Sequence, residues 1–234
     1  GTVTEIYDYL NATGAGVVIR DVKAARIVER IVEIEGKFFE KESFSSLVSP
    51  IDYFNKHGQL SSNWRGYVTE QSSENNIKYY LNRLLEPSGY AWIKYSDIPK
   101  GHKSIPLHKV YFPKSYGSAT DPYVIGKPFY GEPNSVCSET YICVGYDPDS
   151  SFTKEECDNI ISYMRTRFFR YMVSIKKKTQ DNSRDVFQFV PLQDWSKAWT
   201  DKDLYEKYEI SREEIDYIES LIKPLPDDTL FSQE

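Results

Sequence analysis

The spacing of hydrophobic positions predicts helices towards both ends of the chain. Apolar side chains over residues 20–34 follow a mainly helical period, which favours a helix there. A longer helix is predicted to begin at Thr153, where Thr153 and Glu156 form a capping box, and to end near Ser174. Two shorter helices are predicted over residues 201–208 and 211–222, the second capped by Ser211 and Glu214.

The middle of the chain has shorter and less regular hydrophobic runs. β-favouring stretches occur at residues 90–95, 109–113 and 139–145, separated by clusters of Pro, Gly, Ser and Asn. One further helix is predicted over residues 72–85. We therefore expect an α+β fold, in which a twisted, mostly antiparallel sheet is packed by helices and followed by a helical C-terminal end. Tyr141, Phe168 and Phe189 are predicted to lie in its core.

Composition places the chain among globular proteins and excludes several classes. It has 234 residues, of which 40% are hydrophobic and 27% are charged, and no run approaches the ~18 apolar residues that a membrane helix needs. The start of the chain lacks the basic and apolar regions of a signal peptide. Cys137, Cys143 and Cys157 form no C-x-x-C pair, which excludes a disulfide framework and a zinc knuckle. We expect a cytoplasmic protein that makes no contact with membranes.

The charge of −6 is unevenly distributed along the chain. Residues 184–234 hold six basic and 13 acidic residues, whereas residues 159–180 hold six basic residues and no acidic one. The 19 tyrosines are more than a core needs, because each buried hydroxyl requires a partner. Exposed tyrosines suit stacking on bases or sugars and also protein interfaces. From charge alone, a basic middle and an acidic end favour the interpretation that they are two ordinary solvated faces of opposite sign.

Catalytic patterns are weak in this sequence. Asp21, Glu35 and Lys37 are the residue types of a metal-dependent nuclease, but such a triple also arises by chance. Gly14-Ala15-Gly16 is too short for a dinucleotide or methyl-donor fingerprint. The segment 121–123 lacks the second proline of a methyltransferase catalytic turn. The three histidines stand in no recognisable nucleophile context.

Several segments resemble one family of bacterial enzymes. They are GEPNSVCSETY (131–141), ISYMRTRFFR (161–170), TQ (179–180), FQFVP (187–191) and DWSKAWTD (194–201), with KVYFPKSYG (109–117) upstream. Together they resemble the C-terminal target-recognition region of adenine-specific DNA methyltransferases from restriction–modification systems of the Type IIG kind, in which methylase and recognition parts share one chain. The resemblance extends from about Phe44 and is most specific over residues 131–224.

This resemblance implies a domain organisation and a set of partners. Residues 1–19 are expected to lead in from a methylase part, and residues 20–234 to form the DNA target-recognition domain, with an acidic helical end from about residue 194. The partners are double-stranded DNA and the methylase part. S-adenosylmethionine belongs to that methylase part, Mg²⁺ is needed only where a nuclease part exists, and no cofactor or catalytic residue is expected in this chain. The acidic end is expected to face away from DNA.

Two sets of residues are candidates for DNA contact. For phosphates we predict Lys176, Lys177, Lys178, Arg170 and Lys114, although a lysine triplet after a helix can also simply offset the helix dipole. For base edges we predict Asn63, Trp64 and Arg65, together with Lys114, Ser115 and Tyr116; the alternative is an ordinary surface loop. Arg184 is a further candidate, with Asp181 and Asp185 as possible ion-pair partners. The alternative functions are a magnesium-dependent restriction nuclease and an aromatic-rich carbohydrate-binding module.

Overall fold

A computed structural model describes Ile19, residues 21–36, Phe39 and residues 42–118 and 120–225. Gly14–Gly16 and Lys37, which entered the catalytic alternatives, lie outside these described residues. The helices are α1 (Val22–Glu35), α2 (Lys154–Arg165), α3 (Arg167–Lys176), α4 (Asp201–Lys207) and α5 (Arg212–Leu221). The strands are β1 (Ile77–Tyr80), β2 (Tyr90–Ile93), β3 (Lys109–Pro113), β4 (Phe129–Gly131), β5 (Ser135–Cys137) and β6 (Tyr141–Val144).

The strands form two three-stranded sheets instead of one, and the predicted α+β class is confirmed. One sheet has the order β2-β1-β5 and the other the order β4-β3-β6. All pairs are antiparallel except β1 with β5, which is parallel. No helix among the described residues combines the length and the apolar character needed to cross a bilayer.

The sheet β4-β3-β6 lies between the helices and the other sheet. Successive side chains of a strand point to opposite faces, and β3 is buried on both. Val110 and Phe112 join the core that the helices form, whereas Tyr111 joins the core of the β2-β1-β5 sheet. On β6, Ile142 and Val144 likewise face the helices and Cys143 faces the opposite side. The molecule therefore has three layers, with β3 at the centre.

The helix predicted over residues 72–85 is wrong. The chain forms β1 there, in which Ile77 and Tyr79 are buried and Lys78 and Tyr80 are half-buried. This alternation has the strand period of two, and the aromatic and β-branched side chains of the segment favour strands. Residues 81–89 then form the loop that joins β1 to β2.

The long helix predicted from Thr153 is correct at its start but is broken at Thr166. Thr166 adopts an extended conformation with ψ of 151° and serves both as the C-cap of α2 and as the N-cap of α3. Its hydroxyl donates to the oxygen of Tyr163 at 2.8 Å and accepts from the backbone N–H of Phe169 at 3.0 Å. The break separates α2 from α3, and Arg170, predicted to contact phosphate, is buried on α3.

The capping boxes predicted at Thr153 and Ser211 are both present, as is one at Thr200 that was not predicted.

Ion pairs attach the acidic C-terminal helices α4 and α5 to α1. The pairs between the two ends of the chain are Lys23–Glu213 (3.1 Å), Arg30–Glu214 (2.6 Å) and Glu35–Lys207 (2.6 Å). Part of the acidic C-terminal end therefore forms ion pairs with basic side chains of α1.

Candidate nucleic-acid interface

A cleft of about 470 Å³ opens where β3 ends and β6 begins. Its lining residues are Asn82, Pro113, Lys114, Ser115, Tyr116, Glu139, Thr140 and Tyr141. The predicted segment Lys114–Tyr116 thus forms one wall, and the backbone N–H of Lys114 donates to the oxygen of Thr140 at 2.8 Å. Tyr141, predicted to lie in the core, is only partly buried and faces this cleft, whereas Phe168 and Phe189 are fully buried as predicted.

Glu139 connects the cleft to the loop that holds Asn63, Trp64 and Arg65. Its carboxylate oxygen Oε1 accepts from the backbone N–H of Ser62 at 3.0 Å and from the Ser62 hydroxyl at 2.9 Å. Glu139 therefore links the Lys114–Tyr116 cleft to the start of the loop, although Asn63, Trp64 and Arg65 are not among the residues that line the cleft.

Within this loop the three candidate side chains differ in exposure. Trp64 is half-buried and packs edge-to-face on Tyr79, with ring centroids 5.7 Å apart. Asn63 and Arg65 are exposed. Arg65 folds back onto its own loop, where Nη1 donates to the oxygen of Ser62 at 2.9 Å. Trp64 is thus the anchor of the loop, and its two polar neighbours are accessible to a ligand.

The segment after α3 runs beside the cleft wall formed by Lys114–Tyr116. The backbone N–H of Tyr116 donates to the oxygen of Gln180 at 2.9 Å, and the Ser115 hydroxyl donates to Asp181 at 2.6 Å. Lys178, in the same segment, is exposed. It is not among the residues that line the cleft and instead lines a separate cavity with Lys176 and Thr179.

Lys177 is a structural residue, and its predicted contact with phosphate is wrong for this conformation. It is only 4% exposed. Its ammonium group donates to the backbone oxygen of Tyr116 at 3.0 Å and to that of Val124. Burial lowers the pKa of Lys177 to about 8, because desolvation penalises the charged form. Lys177 therefore supports the cleft wall formed by Lys114–Tyr116 from the interior of the protein.

Arg170 is also inside the protein and cannot reach a phosphate. It is 0% exposed, and its guanidinium donates to the backbone oxygens of Thr166 at 3.1 Å and Lys223 at 2.7 Å, with a longer bond of 3.4 Å to Tyr123. Burial lowers its pKa to about 10. Lys176 is half-buried and donates to the side-chain oxygen of Gln188. Three of the predicted phosphate contacts, Arg170, Lys176 and Lys177, therefore support the fold.

Lys114 and Arg184 have different surroundings. The ammonium group of Lys114 lies 3.2 Å from Asp52 in a half-exposed ion pair. Arg184 is not among the residues that line the cleft. Its Nε donates to the oxygen of Val48 at 2.8 Å and its guanidinium lies over the ring of Tyr146. The expected pairing of Arg184 with Asp181 or Asp185 is not formed.

Sequence reasoning missed the loop 81–89, which contributes Asn82 to the cleft. Arg83 and Leu84, the next two residues, are exposed. Arg83 lies close enough to Tyr141 for its positive charge to oppose the rise in the Tyr141 pKa that burial causes. The cluster of Asn, Pro, Ser and Gly in this segment signals a turn, but the helix predicted here concealed it.

The nuclease triple is not assembled. Asp21 and Glu35 stand at opposite ends of α1, roughly 20 Å apart at the helical rise per residue. Asp21 caps that helix through the backbone N–H of Lys23 at 2.8 Å, and Glu35 accepts from Tyr208 at 2.9 Å. These two carboxylates cannot share a metal ion. No cluster of three or more His, Cys, Asp or Glu side chains suited to a metal occurs in the described part of the chain.

The tyrosines that the structure describes are divided between the core and the surface. Six of these are buried: Tyr79, Tyr111, Tyr163, Tyr171, Tyr205 and Tyr208. Some of their hydroxyls have partners deep inside, such as the bond from Tyr163 to the oxygen of Pro191 at 2.9 Å. The tyrosine content alone is therefore no measure of a stacking surface.

Comparison with known proteins gives no relative: no protein family, curated protein or solved structure matches this chain.

Proposed function

We propose that this chain is the DNA target-recognition domain of an adenine-specific DNA methyltransferase of a bacterial restriction–modification system. It holds a specific duplex sequence in place for a methylase part that binds S-adenosylmethionine, and Mg²⁺ enters only where a nuclease part is present. In this proposal the chain itself performs no chemical step and contacts no membrane. The observation that carries the proposal is that Glu139 lines one cleft together with Lys114–Tyr116 and also binds Ser62, the residue that precedes Asn63–Arg65.

The side chains around the cleft are of the types that read DNA. The duplex is wider than the cleft, so it lies across the opening with side chains reaching into a groove. Arg65 has the fork geometry that pairs with O6 and N7 of guanine, and Asn63 has the amide that pairs with adenine. Lys178 and Arg83 are exposed cations in segments that adjoin the cleft residues, and both suit phosphate oxygens.

The carboxylates near the cleft each have a partner within the protein, and the charge of Asp52 is offset by an ion pair. Glu139 accepts from Ser62, Asp52 pairs with Lys114, and Asp181 accepts from Ser115. The acidic helices α4 and α5 are instead attached to α1. We propose that this acidic end makes no contact with DNA.

The proposal is tested by measuring binding to a random-sequence duplex pool through fluorescence anisotropy at about 50 to 200 mM salt. We expect affinity to fall steeply with salt, because each phosphate contact releases counterions, and the DNA to stay intact with and without Mg²⁺. Lys178→Ala should reduce the slope of log affinity against log salt by about one. Lys202→Ala, which removes an exposed lysine from α4, is the matched control and should leave the slope unchanged. Absence of salt-dependent binding contradicts the proposal, and cleavage of the DNA favours the nuclease alternative.

A further inference from the structure

Leu84 is the most exposed large apolar residue among those that the structure describes. Its side chain is 92% exposed, whereas the next, Tyr95, is 54% exposed. It stands in the loop 81–89 between β1 and β2. A leucine in this position gains nothing from the hydrophobic effect in the isolated domain, so its apolar surface is available to a ligand.

The backbone around Leu84 is firmly braced. The side-chain oxygen of Asn82 accepts from the N–H of Leu84 at 2.9 Å, and its backbone oxygen accepts from the N–H of Leu85 at 2.9 Å. The N–H of Gly89 closes the loop onto the oxygen of Glu86 at 2.8 Å. Leu85 packs against the core of the β2-β1-β5 sheet. The loop therefore holds its first apolar residue outward and its second inward.

Leu84 stands at the edge of the cleft, beside a cation. Asn82, two residues earlier, lines the cleft. Arg83 is exposed, and its charge acts on Tyr141 in the cleft wall. The side chain of Arg83 also lies over Gly89, so that a Cβ atom added at residue 89 would be 3.3 Å from it. A duplex lying across the cleft meets the tip of this loop.

We propose that Leu84 is a wedge that inserts between two adjacent base pairs of the bound duplex, while Arg83 binds the phosphate beside the opened step. This inference rests on the proposed function and adds a second source of specificity to it. Apolar side chains inserted in this way unstack a base step and kink the duplex. The cost depends on the sequence, since pyrimidine–purine steps open most easily. The recognised DNA sequence would therefore include a flexible base step that is selected by its deformability and not by a hydrogen bond.

The neighbouring charge favours DNA over a protein as the ligand of this loop. An exposed leucine beside the exposed Arg83 offers apolar surface next to a site for an anion. A duplex presents stacked bases flanked by phosphates, which suit this combination of apolar surface and cation. Packing of Leu84 against the methylase part is the competing outcome, and it predicts no change in the shape of the DNA.

The test uses the whole chain and a duplex selected from the random pool, labelled at both ends for energy transfer. Wild type is expected to bend this duplex, and 2-aminopurine substituted at the opened step should brighten on binding. Leu84→Ala should bind about tenfold more weakly and leave the duplex straight and 2-aminopurine dark. Ile34→Ala, which shortens a 43% exposed apolar residue on α1, is the matched control and should behave as wild type.

The outcomes separate this inference from the function on which it rests. If wild type binds the duplex and Leu84→Ala bends it to the same extent, the wedge is overturned and DNA recognition stands. The wedge is also overturned, with DNA recognition intact, if Leu84→Ala binds more weakly but wild type never bends the duplex. If wild type binds no duplex, both proposals fail.

Discussion

Lys177 donates a hydrogen bond of 3.0 Å from its ammonium group to the backbone oxygen of Tyr116. Lys177, predicted from the sequence to contact phosphate, thus supports the wall of the cleft from inside the protein. That wall contains Tyr116, a candidate for contact with bases. Lys178, next to Lys177, is exposed. Two adjacent lysines therefore have different roles, which substitution can separate.

Replacing Lys177 with Met should loosen the cleft wall without removing a phosphate contact. The substitution keeps the apolar stem and deletes the donor to Tyr116 and Val124. We expect faster hydrogen exchange of the Tyr116 amide, which bonds to Gln180, and an unchanged slope of log DNA affinity against log salt. An unchanged exchange rate, or a slope reduced as by Lys178→Ala, would show that the structural role is wrong.

Thr166 should be important for stability because it serves both α2 and α3. Thr166→Ala removes the acceptor for the N–H of Phe169 and the donor to Tyr163 at a buried position. We expect the free energy of unfolding to fall by about 1–2 kcal/mol, as for other lost N-caps. Thr69→Ala, at an exposed position, is the control and should change it by less than about 0.5 kcal/mol. Urea unfolding measures both, and equal effects would contradict the assignment.

Stability should decrease at alkaline pH in part through Cys143. Burial raises the pKa of this thiol from 9.0 to about 11. Between these values the unfolded chain has lost a proton that the folded chain retains, so rising pH favours unfolding by about 1.4 kcal/mol per pH unit. Cys143→Ala should remove this contribution. The measurement is the difference in unfolding free energy between wild type and variant from pH 8 to 11 under reducing conditions. A difference that does not change with pH would contradict the prediction.

The acidic C-terminal helices should not influence DNA binding. Asp201 and Asp203 are unsuitable for substitution, because they accept backbone bonds from Phe168 and Thr200. The exposed Glu206 and Glu209 are better targets. Glu206→Gln with Glu209→Gln should change DNA affinity less than about twofold near physiological salt, where the Debye length is about 8 Å. A larger change would place DNA against this end of the molecule.

Elements with local signals were predictable from the sequence. The capping boxes at Thr153 and Ser211 involve residues three apart, and each begins a helix where the pattern placed it. The strand Lys109–Pro113 likewise follows from its own composition. Such features are fixed by neighbours in sequence, so a single chain suffices to find them.

The inward residues were not predictable, because their partners are distant in sequence. Arg170 is held by the oxygens of Tyr123 and Lys223, 47 and 53 residues away. The predicted phosphate contact required an outward side chain, and no local pattern signals these distant acceptors. The meeting of Lys114 and Ser62 around the turn at Glu139 depends equally on tertiary packing. Local periodicity contains no information about either arrangement.

Selection of bound duplexes from a random pool, followed by sequencing, tests whether this chain recognises a specific DNA sequence. Wild type should enrich a defined sequence, and Arg65→Ala and Asn63→Ala should each relax the preference at one position, by about 1–3 kcal/mol of discrimination. Lys202→Ala should recover the wild-type sequence. A bound pool identical in composition to the input would contradict the account.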